Sequence, residues 1–262
     1  MQQKRAVLVT GASTGIGAAY ADRFARRGHP IVMVARDTAR MQTLAARLQA
    51  ETGVEIEILK ADLNDLVDVA KIEARLRDDP NLGILVNNAG TALPGAFIEQ
   101  RSDDVTRLIG LNVTALTRLA NAVAPRFARA GQGAIVNVAS VVGLAPELGL
   151  TVYGATKAFV LFLSQGLHLE LGPKGVYVQA VLPSATRTEI WQHAGRDVNE
   201  IEGMMEVDDL VDAALVGFDN RETVTIPPLS ELAQWQHYEA ARLAMLPNLK
   251  QAHPAVRYRR EM

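Results

Sequence analysis

Thr10-Gly11-Ala12-Ser13-Thr14-Gly15-Ile16-Gly17 follows directly on the apolar run Ala6-Val7-Leu8-Val9, and a helix-forming stretch, 18–27, comes next. An apolar run, a glycine-rich turn and a helix-former read as strand, tight turn and helix. Glycines at 11, 15 and 17 let backbone N–H groups approach a pyrophosphate and let the helix pack close to the strand. The helix N-terminus then presents free donors and its dipole to the anion. Such a turn can equally be a plain loop before a helix. Its place between the first strand and the first helix is what favours a dinucleotide.

Working outward, further apolar runs occupy 31–35, 54–59, 84–86, 134–138, 176–182 and 224–226, with stretches of helical period between them. Most are rich in Val, Ile and Leu without polar alternation, as strands covered on both faces require. Gly28-His29-Pro30 and Gly172-Pro173 close helices before the next strand. In 38–50, Met41, Leu44, Ala45 and Leu48 share one face. The alternation predicts an α/β fold: a Rossmann-like, doubly wound parallel β-sheet of about seven strands with helices on both faces. One catalytic domain is expected over 1–228, since no linker or repeat interrupts it. Beyond Pro227-Pro228, residues 229–262 read as a C-terminal helical extension. Its helix, 229–246, carries Trp235, Tyr238, Ala241 and Leu243, and 247–262 is an Arg-rich packed arm or frayed tail.

Composition removes several function classes. The formal charge is −2, from 27 basic and 29 acidic side chains, with no block of like charge. Neither nucleic acid nor an anionic membrane has an electrostatic partner here. The absence of cysteine excludes disulfides, thiolate catalysis and cysteine-based zinc sites. The five histidines lack metal-like spacing with carboxylates, so no metal is expected. The basic start Met1-Gln2-Gln3-Lys4-Arg5 leads into an apolar run too short for a signal peptide, ended by Gly11. No apolar run approaches a membrane span. A soluble cytoplasmic protein is the expectation.

Strand two ends Val34-Ala35-Arg36-Asp37. In dinucleotide-binding folds an acidic residue about 20 positions past the turn holds the ribose 2′-OH, while a nearby Arg accommodates a 2′-phosphate. Ala35 stands at the acidic position and Arg36 follows it, which favours NADP(H) because a guanidinium suits a phosphate dianion. The plain alternative is a solvated Arg36 at a helix start. Asp37 can reach a ribose hydroxyl, so NAD(H) stays open, and Thr14 rather than a basic residue occupies the turn.

Tyr153 and Lys157 lie four residues apart in the helical stretch 151–171 and share a face. A phenol with a pKa of about 10 exchanges protons poorly near neutrality, and an ammonium one turn away stabilises the phenolate. Core packing would explain such a pair alone. Ser140 changes that reading: it ends the fifth strand, at the edge where doubly wound sheets bind ligands, and its hydroxyl can hydrogen-bond a carbonyl or alcohol.

The G-x-x-x-G-x-G spacing of 11–17, Ser140 and Tyr153-x-x-x-Lys157, in that order, resemble the short-chain dehydrogenase/reductase family in its compact single-domain branch. The resemblance runs to about residue 228. It implies cofactor contacts from Gly11, Ser13, Thr14, Gly15, Ile16, Gly17 and Arg36. Asp62-Leu63 resemble the pair that meets the adenine ring, and Asn87-Asn88-Ala89-Gly90 the motif that supports the central sheet and borders the cofactor. Asn112 resembles the helix Asn whose backbone helps hold a water in the proton relay. By the same resemblance Ser140 polarises the carbonyl and Tyr153 transfers the proton. Lys157 lowers the tyrosine pKa and holds the nicotinamide ribose, while the nicotinamide carries the hydride. Pro183, Thr186 and Thr188 match the segment beside the carboxamide, but Ser184 replaces the usual glycine and is expected to reshape that backbone. Without the family, Asp62 is a helix N-cap, Asn87 and Asn88 are turn residues and Asn112 is a polar helix residue.

The activity implied is NADP(H)-dependent interconversion of a ketone or aldehyde and an alcohol. Segments 91–97, 141–150 and 189–205 would wall the substrate, offering Leu93, Phe97, Val142, Leu144, Leu148, Trp191 and Met204, with His193 the polar exception. An apolar small-molecule carbonyl compound fits such walls. A nucleotide-sensing regulator on the same fold is the alternative, against which Ser140, Tyr153 and Lys157 argue. Sugar-nucleotide epimerisation or dehydration would call for a longer chain. Family members usually pair through the helices corresponding to 102–130 and 151–171, so a homodimer is expected, with a tetramer open.

Overall fold

The computed structural model describes residues 4–195, 197–198 and 201–259, with every side chain in that set except that of His193. Each expected apolar run forms a strand: β1 Ala6–Thr10, β2 Ile31–Ala35, β3 Ile56–Lys60, β4 Leu82–Asn87, β5 Gly133–Val138, β6 Val176–Val181 and β7 Val224–Thr225. All neighbours are parallel, in the order β3-β2-β1-β4-β5-β6-β7. The order reverses between β1 and β4, which opens a crevice at the carboxyl ends of those strands.

The helices are α1 Gly15–Arg26, α2 Thr38–Thr52, α3 Leu66–Asp78, α4 Ser102–Ile109, α5 Leu116–Ala130, α6 Thr151–Leu171, the short α7 Ile190–His193, α8 Val207–Asp219 and α9 Leu232–Ala244. Helices on both faces explain the unbroken apolar strands, because alternate side chains of each strand enter different cores. From β1, Val7 and Val9 join Phe24, Met41, Leu48 and Val211 of α1, α2 and α8. Ala6 and Leu8 join Ile72, Leu76, Leu119 and Phe127 of α3 and α5 on the opposite face.

Three local departures from expectation bear on the site. Helix α1 starts at Gly15, so Gly15, Ile16 and Gly17 form its first turn, with no side-chain cap. The stretch 102–130 is not one regular helix: a π-helical turn, Gly110–Ala115, joins α4 to α5 and contains Asn112. Asp62 does not cap α3. Asp65 does, accepting from Val67 N at 2.8 Å, while Asp62 accepts from Asn64 N at 2.9 Å within the loop.

Side chains stitch the switch point shut. Thr10 Oγ1 accepts from the backbone N–H groups of Asn88 and Ala89, each at 3.0 Å, and donates to the Val86 carbonyl at 3.3 Å. Asn88 Nδ2 donates back to the Thr10 carbonyl at 2.9 Å. A Cβ at Gly17 would lie 2.5 Å from Asn88 Nδ2 and press on the Gly11 carbonyl oxygen, so this turn of α1 needs glycine.

The chain forms two compact units, Met1–Pro227 and Pro228–Met262. In the second, α9 is shorter than the 229–246 expected, has no buried residue, and stacks Trp235 on Tyr238 with ring centroids 5.2 Å apart. Among the described residues no helix is long and apolar enough to cross a membrane.

Thr10→Val keeps the side chain's shape but leaves two backbone donors without their acceptor. The expected loss is about 2–4 kcal/mol of unfolding free energy, read from urea denaturation. An unchanged midpoint would contradict the stitch.

Candidate active site

A cleft of about 710 Å³ runs along the carboxyl ends of the strands. Gly11, Ser13, Thr14, Gly15 and Ile16 reach it from the turn after β1, and Arg36 from the end of β2. Asp62 and Leu63 follow β3, Asn88, Ala89 and Gly90 follow β4, and Ser140 follows β5. Tyr153 and Lys157 enter from α6, and Pro183, Thr186 and Thr188 from beyond β6. Gly17 and Asn112 do not line it. Gly17 lies behind Gly11, where its role is close packing. Asn112 is buried, its Oδ1 accepting from Thr91 N at 2.9 Å and its Nδ2 donating to the Thr91 carbonyl at 3.0 Å and Thr156 Oγ1 at 3.1 Å. With that side chain committed, only its main chain in the π turn is left for a relay.

One end of the cleft suits an anion. The first turn of α1 has neither a side-chain cap nor an acidic residue, so its backbone donors are available. Arg36 is exposed, and its guanidinium makes no ion pair or hydrogen bond among the described residues. Arg40, one turn on, is occupied: Nη1 binds both oxygens of Glu189 at 2.7 and 2.8 Å, and Nε lies 3.4 Å from Asp37. Asp37 also caps α2, accepting from Arg40 N at 3.0 Å.

The other end carries the titratable groups. Lys157 is 5% exposed, its Nζ donates to the Val138 carbonyl at 2.8 Å, and it lies 5.5 Å from the centroid of the Tyr153 ring. Ser140 Oγ donates to the Pro183 carbonyl at 3.2 Å. Burial pushes the Tyr153 phenol above its ordinary value, opposed by a hydrogen bond with the Ser140 side chain. Burial alone pulls the Lys157 ammonium down to about 8. The sequence led us to expect the lysine to lower the tyrosine pKa. In the protein by itself burial acts the other way on the phenol, because a charge withdrawn from water loses solvation.

Two glycines set the spacing of these groups. A Cβ at Gly143 would lie 2.7 Å from Ala158 N and 2.8 Å from Lys157 C, and one at Gly154 would lie 3.1 Å from the Val142 carbonyl oxygen. The loop after Ser140 therefore rests on the α6 backbone.

Ala92, Val141, Val142, Leu150, Ile190, Trp191 and Ala194 give this end an apolar wall. Trp191 is held by its Nε1, which donates to the Thr186 carbonyl at 2.7 Å. Of the wall expected from sequence, Val142 and Trp191 are in place. Leu93, Phe97, Leu144, Leu148 and Met204 are not, and Phe97 and Leu148 are 62% and 54% exposed. Residues 196, 199 and 200 of segment 189–205 and the His193 side chain lie outside the described residues. Leu150, Ile190 and Ala194 also line the cleft, from within the expected segments 141–150 and 189–205, whereas Arg40 was not expected.

Residues 5–199 match the family model described as short chain dehydrogenase. The chain belongs to the short-chain dehydrogenase family. Among solved structures, a short-chain dehydrogenase from Sphingobium yanoikuyae in complex with NADPH is 62% identical, with a TM-score of 0.96 over 97% of this chain and 100% of that one. The bulky-bulky ketone specific alcohol dehydrogenase from Comamonas testosteroni is 57% identical, with a TM-score of 0.92 over 98% and 99%. Very-long-chain 3-oxoacyl-CoA reductase-B of Danio rerio is 36% identical over 187 residues, 70% of this chain. This short-chain dehydrogenase spans 60% of the length of that relative.

Lys157 gives stability a pH dependence with a definite sign. In the folded, cofactor-free protein it releases its proton near pH 8, whereas unfolded it holds the proton to about 10.4. Between these values the unfolded state binds more protons, so stability rises with pH, by on the order of 3 kcal/mol in full. The buried phenols of Tyr20, Tyr153 and Tyr177, shifted upward, oppose this only above about pH 10. Lys157→Met is expected to be the more stable protein at neutral pH and to lose that advantage by about pH 10. Urea midpoints across pH check this; parallel curves for the two proteins would contradict it.

Proposed function

We propose that this chain is an NADP(H)-dependent oxidoreductase that interconverts an apolar ketone or aldehyde and its alcohol. The observation that carries the reading is the joint arrival of Ser140, Tyr153 and Lys157 at the apolar end of a cleft whose other end offers an uncapped helix and a free Arg36.

Bound there, the nicotinamide would supply or accept the hydride. The remaining work belongs to the protein. The Ser140 hydroxyl hydrogen-bonds the substrate oxygen and polarises it. Tyr153, kept neutral by burial, donates its proton to the oxygen as charge develops, or receives it in the reverse direction. Lys157 supports the phenolate so formed and holds the nicotinamide ribose; its own lowered pKa leaves it charged at neutral pH. Arg36 meets the 2′-phosphate, and the first turn of α1 meets the pyrophosphate. Asp62 and Leu63 border the adenine, and Pro183, Thr186 and Thr188 border the carboxamide.

The NADPH complex of the Sphingobium protein supports the cofactor, and the specificity of the Comamonas enzyme supports a ketone with bulky groups on both sides. Exposed Phe159, Phe162 and Leu169 on α6 support a homodimer paired through that helix.

Parallel NADPH and NADH titrations, then a carbonyl panel, test this reading. Arg36→Ala is expected to weaken NADPH about 10- to 100-fold and to leave NADH nearly unchanged; equal affinities in the wild type would sink phosphate recognition. Tyr153→Phe is expected to lose at least about 100-fold in kcat while still binding NADPH. Substantial turnover by that variant would sink the mechanism. NADPH binding with no turnover of any carbonyl by the wild type would favour a nucleotide sensor.

A further inference from the structure

Leu150 stands at φ 58° and ψ 51°, in the left-handed region. There the Cβ of an ordinary residue crowds the following carbonyl, and only Gly, with Asn and Asp, enters readily. Among the described residues the one other non-glycine with positive φ is Arg221, whose guanidinium stacks on Tyr177 ahead of β7, away from the cleft. Leu150 is in the cleft wall, at the cap position immediately before α6. Its carbonyl accepts the first helical hydrogen bond, from Gly154 N at 2.7 Å.

The turn itself does not need a leucine. Glycine or asparagine would make the same bend with less strain, and the preceding Gly149, at φ 79°, already shows a chain shaped for it. What leucine adds is an isobutyl group half-buried beside Tyr153, with Val142 and Trp191 lining the same end of the cleft. Strained residues persist where the side chain's position is worth more than the strain.

We infer that Leu150 is a specificity-determining residue, its side chain forming the wall that receives one apolar substituent of the ketone and its strained backbone holding that wall beside Tyr153. This rests on the oxidoreductase reading above and extends it to substrate selection. A bulky substituent packed on Leu150 sheds water as its carbonyl reaches Ser140 and Tyr153. A small ketone does not reach the wall. Stability and selectivity therefore oppose each other at this residue.

The test compares wild type with Leu150→Asn, Leu150→Gly and Leu150→Met, using valerophenone and acetone as substrates and thermal midpoints as the second readout. The Asn and Gly variants are expected to lose about 10- to 100-fold in kcat/KM for valerophenone while acetone changes by no more than about twofold. Both are expected to melt about 1–4 °C higher. The Met variant keeps the apolar reach and the strain; it should stay within about threefold of wild type for valerophenone, with no gain in melting temperature. Equal losses on both ketones, or an unchanged valerophenone-to-acetone ratio, overturn the assignment with the wild type active. Midpoints that fall or stay level in both the Asn and Gly variants overturn the strain. A wild type inert toward both ketones overturns the oxidoreductase reading, and the role of Leu150 with it.

Discussion

The hydroxyl of Thr10 holds the carboxyl ends of β1 and β4 together where the strand order reverses. Everything functional in this molecule hangs from that seam. Parallel strands diverging from a switch point leave backbone donors with no neighbouring strand, and here one threonine oxygen accepts two of them. With the Asn88 amide bound back to the Thr10 carbonyl, the turn after β1 and the turn after β4 become one rigid surface. Gly11 and Gly17 then let α1 seat its N-terminus directly on it. The uncapped helix end and the loop of Asn88–Gly90 are thereby fixed with respect to each other before any ligand arrives.

A second constraint acts at the other end of the cleft, and it is dielectric rather than geometric. Lys157 is buried and Tyr153 half-buried, and burial shifts the phenol upward and the ammonium downward. The protein thus keeps the tyrosine protonated at rest, in the same cleft as the Ser140 side chain. In the proposed reaction a neutral proton donor beside a cation is suited to charge that appears only as the substrate reacts, since stabilisation of that charge is then not spent on the resting state. The Gly143 and Gly154 contacts make the arrangement stiff, because the loop bearing Ser140 is laid on the backbone of the helix bearing the other two.

Much of this was legible in the residues. Seven apolar runs became seven strands because strands covered on both faces need no polar alternation, and that pattern is local. The glycine turn, Ser140 and the Tyr153–Lys157 pair were legible because each is a short motif on one element. All three wall segments reach the cleft, but the side chains within them were read less well. Phe97 and Leu148 are large and apolar, yet they point to solvent, while Ala92, Ile190 and Ala194 line the cleft. Which side of a loop faces inward depends on the elements packed beneath it, and no local period records that. Asn112 was found by pattern, but the π turn that places it, and the commitment of its side chain to Thr91 and Thr156, were not visible in its neighbours.

By itself the sequence determined the fold class, the order of strands and helices along the chain and the candidate residues Ser140, Tyr153 and Lys157, because periodicity and motif spacing act over a few residues. Only the tertiary structure decided that Arg36 is free while Arg40 is held by Glu189, a partner 149 positions away. It also decided that burial raises the phenol of Tyr153, and that Leu150 precedes α6 in a left-handed turn. Those outcomes depend on what surrounds a residue in space, through solvation, charge pairing and backbone strain. A linear chain fixes which groups are present; the packed one fixes what each is allowed to do.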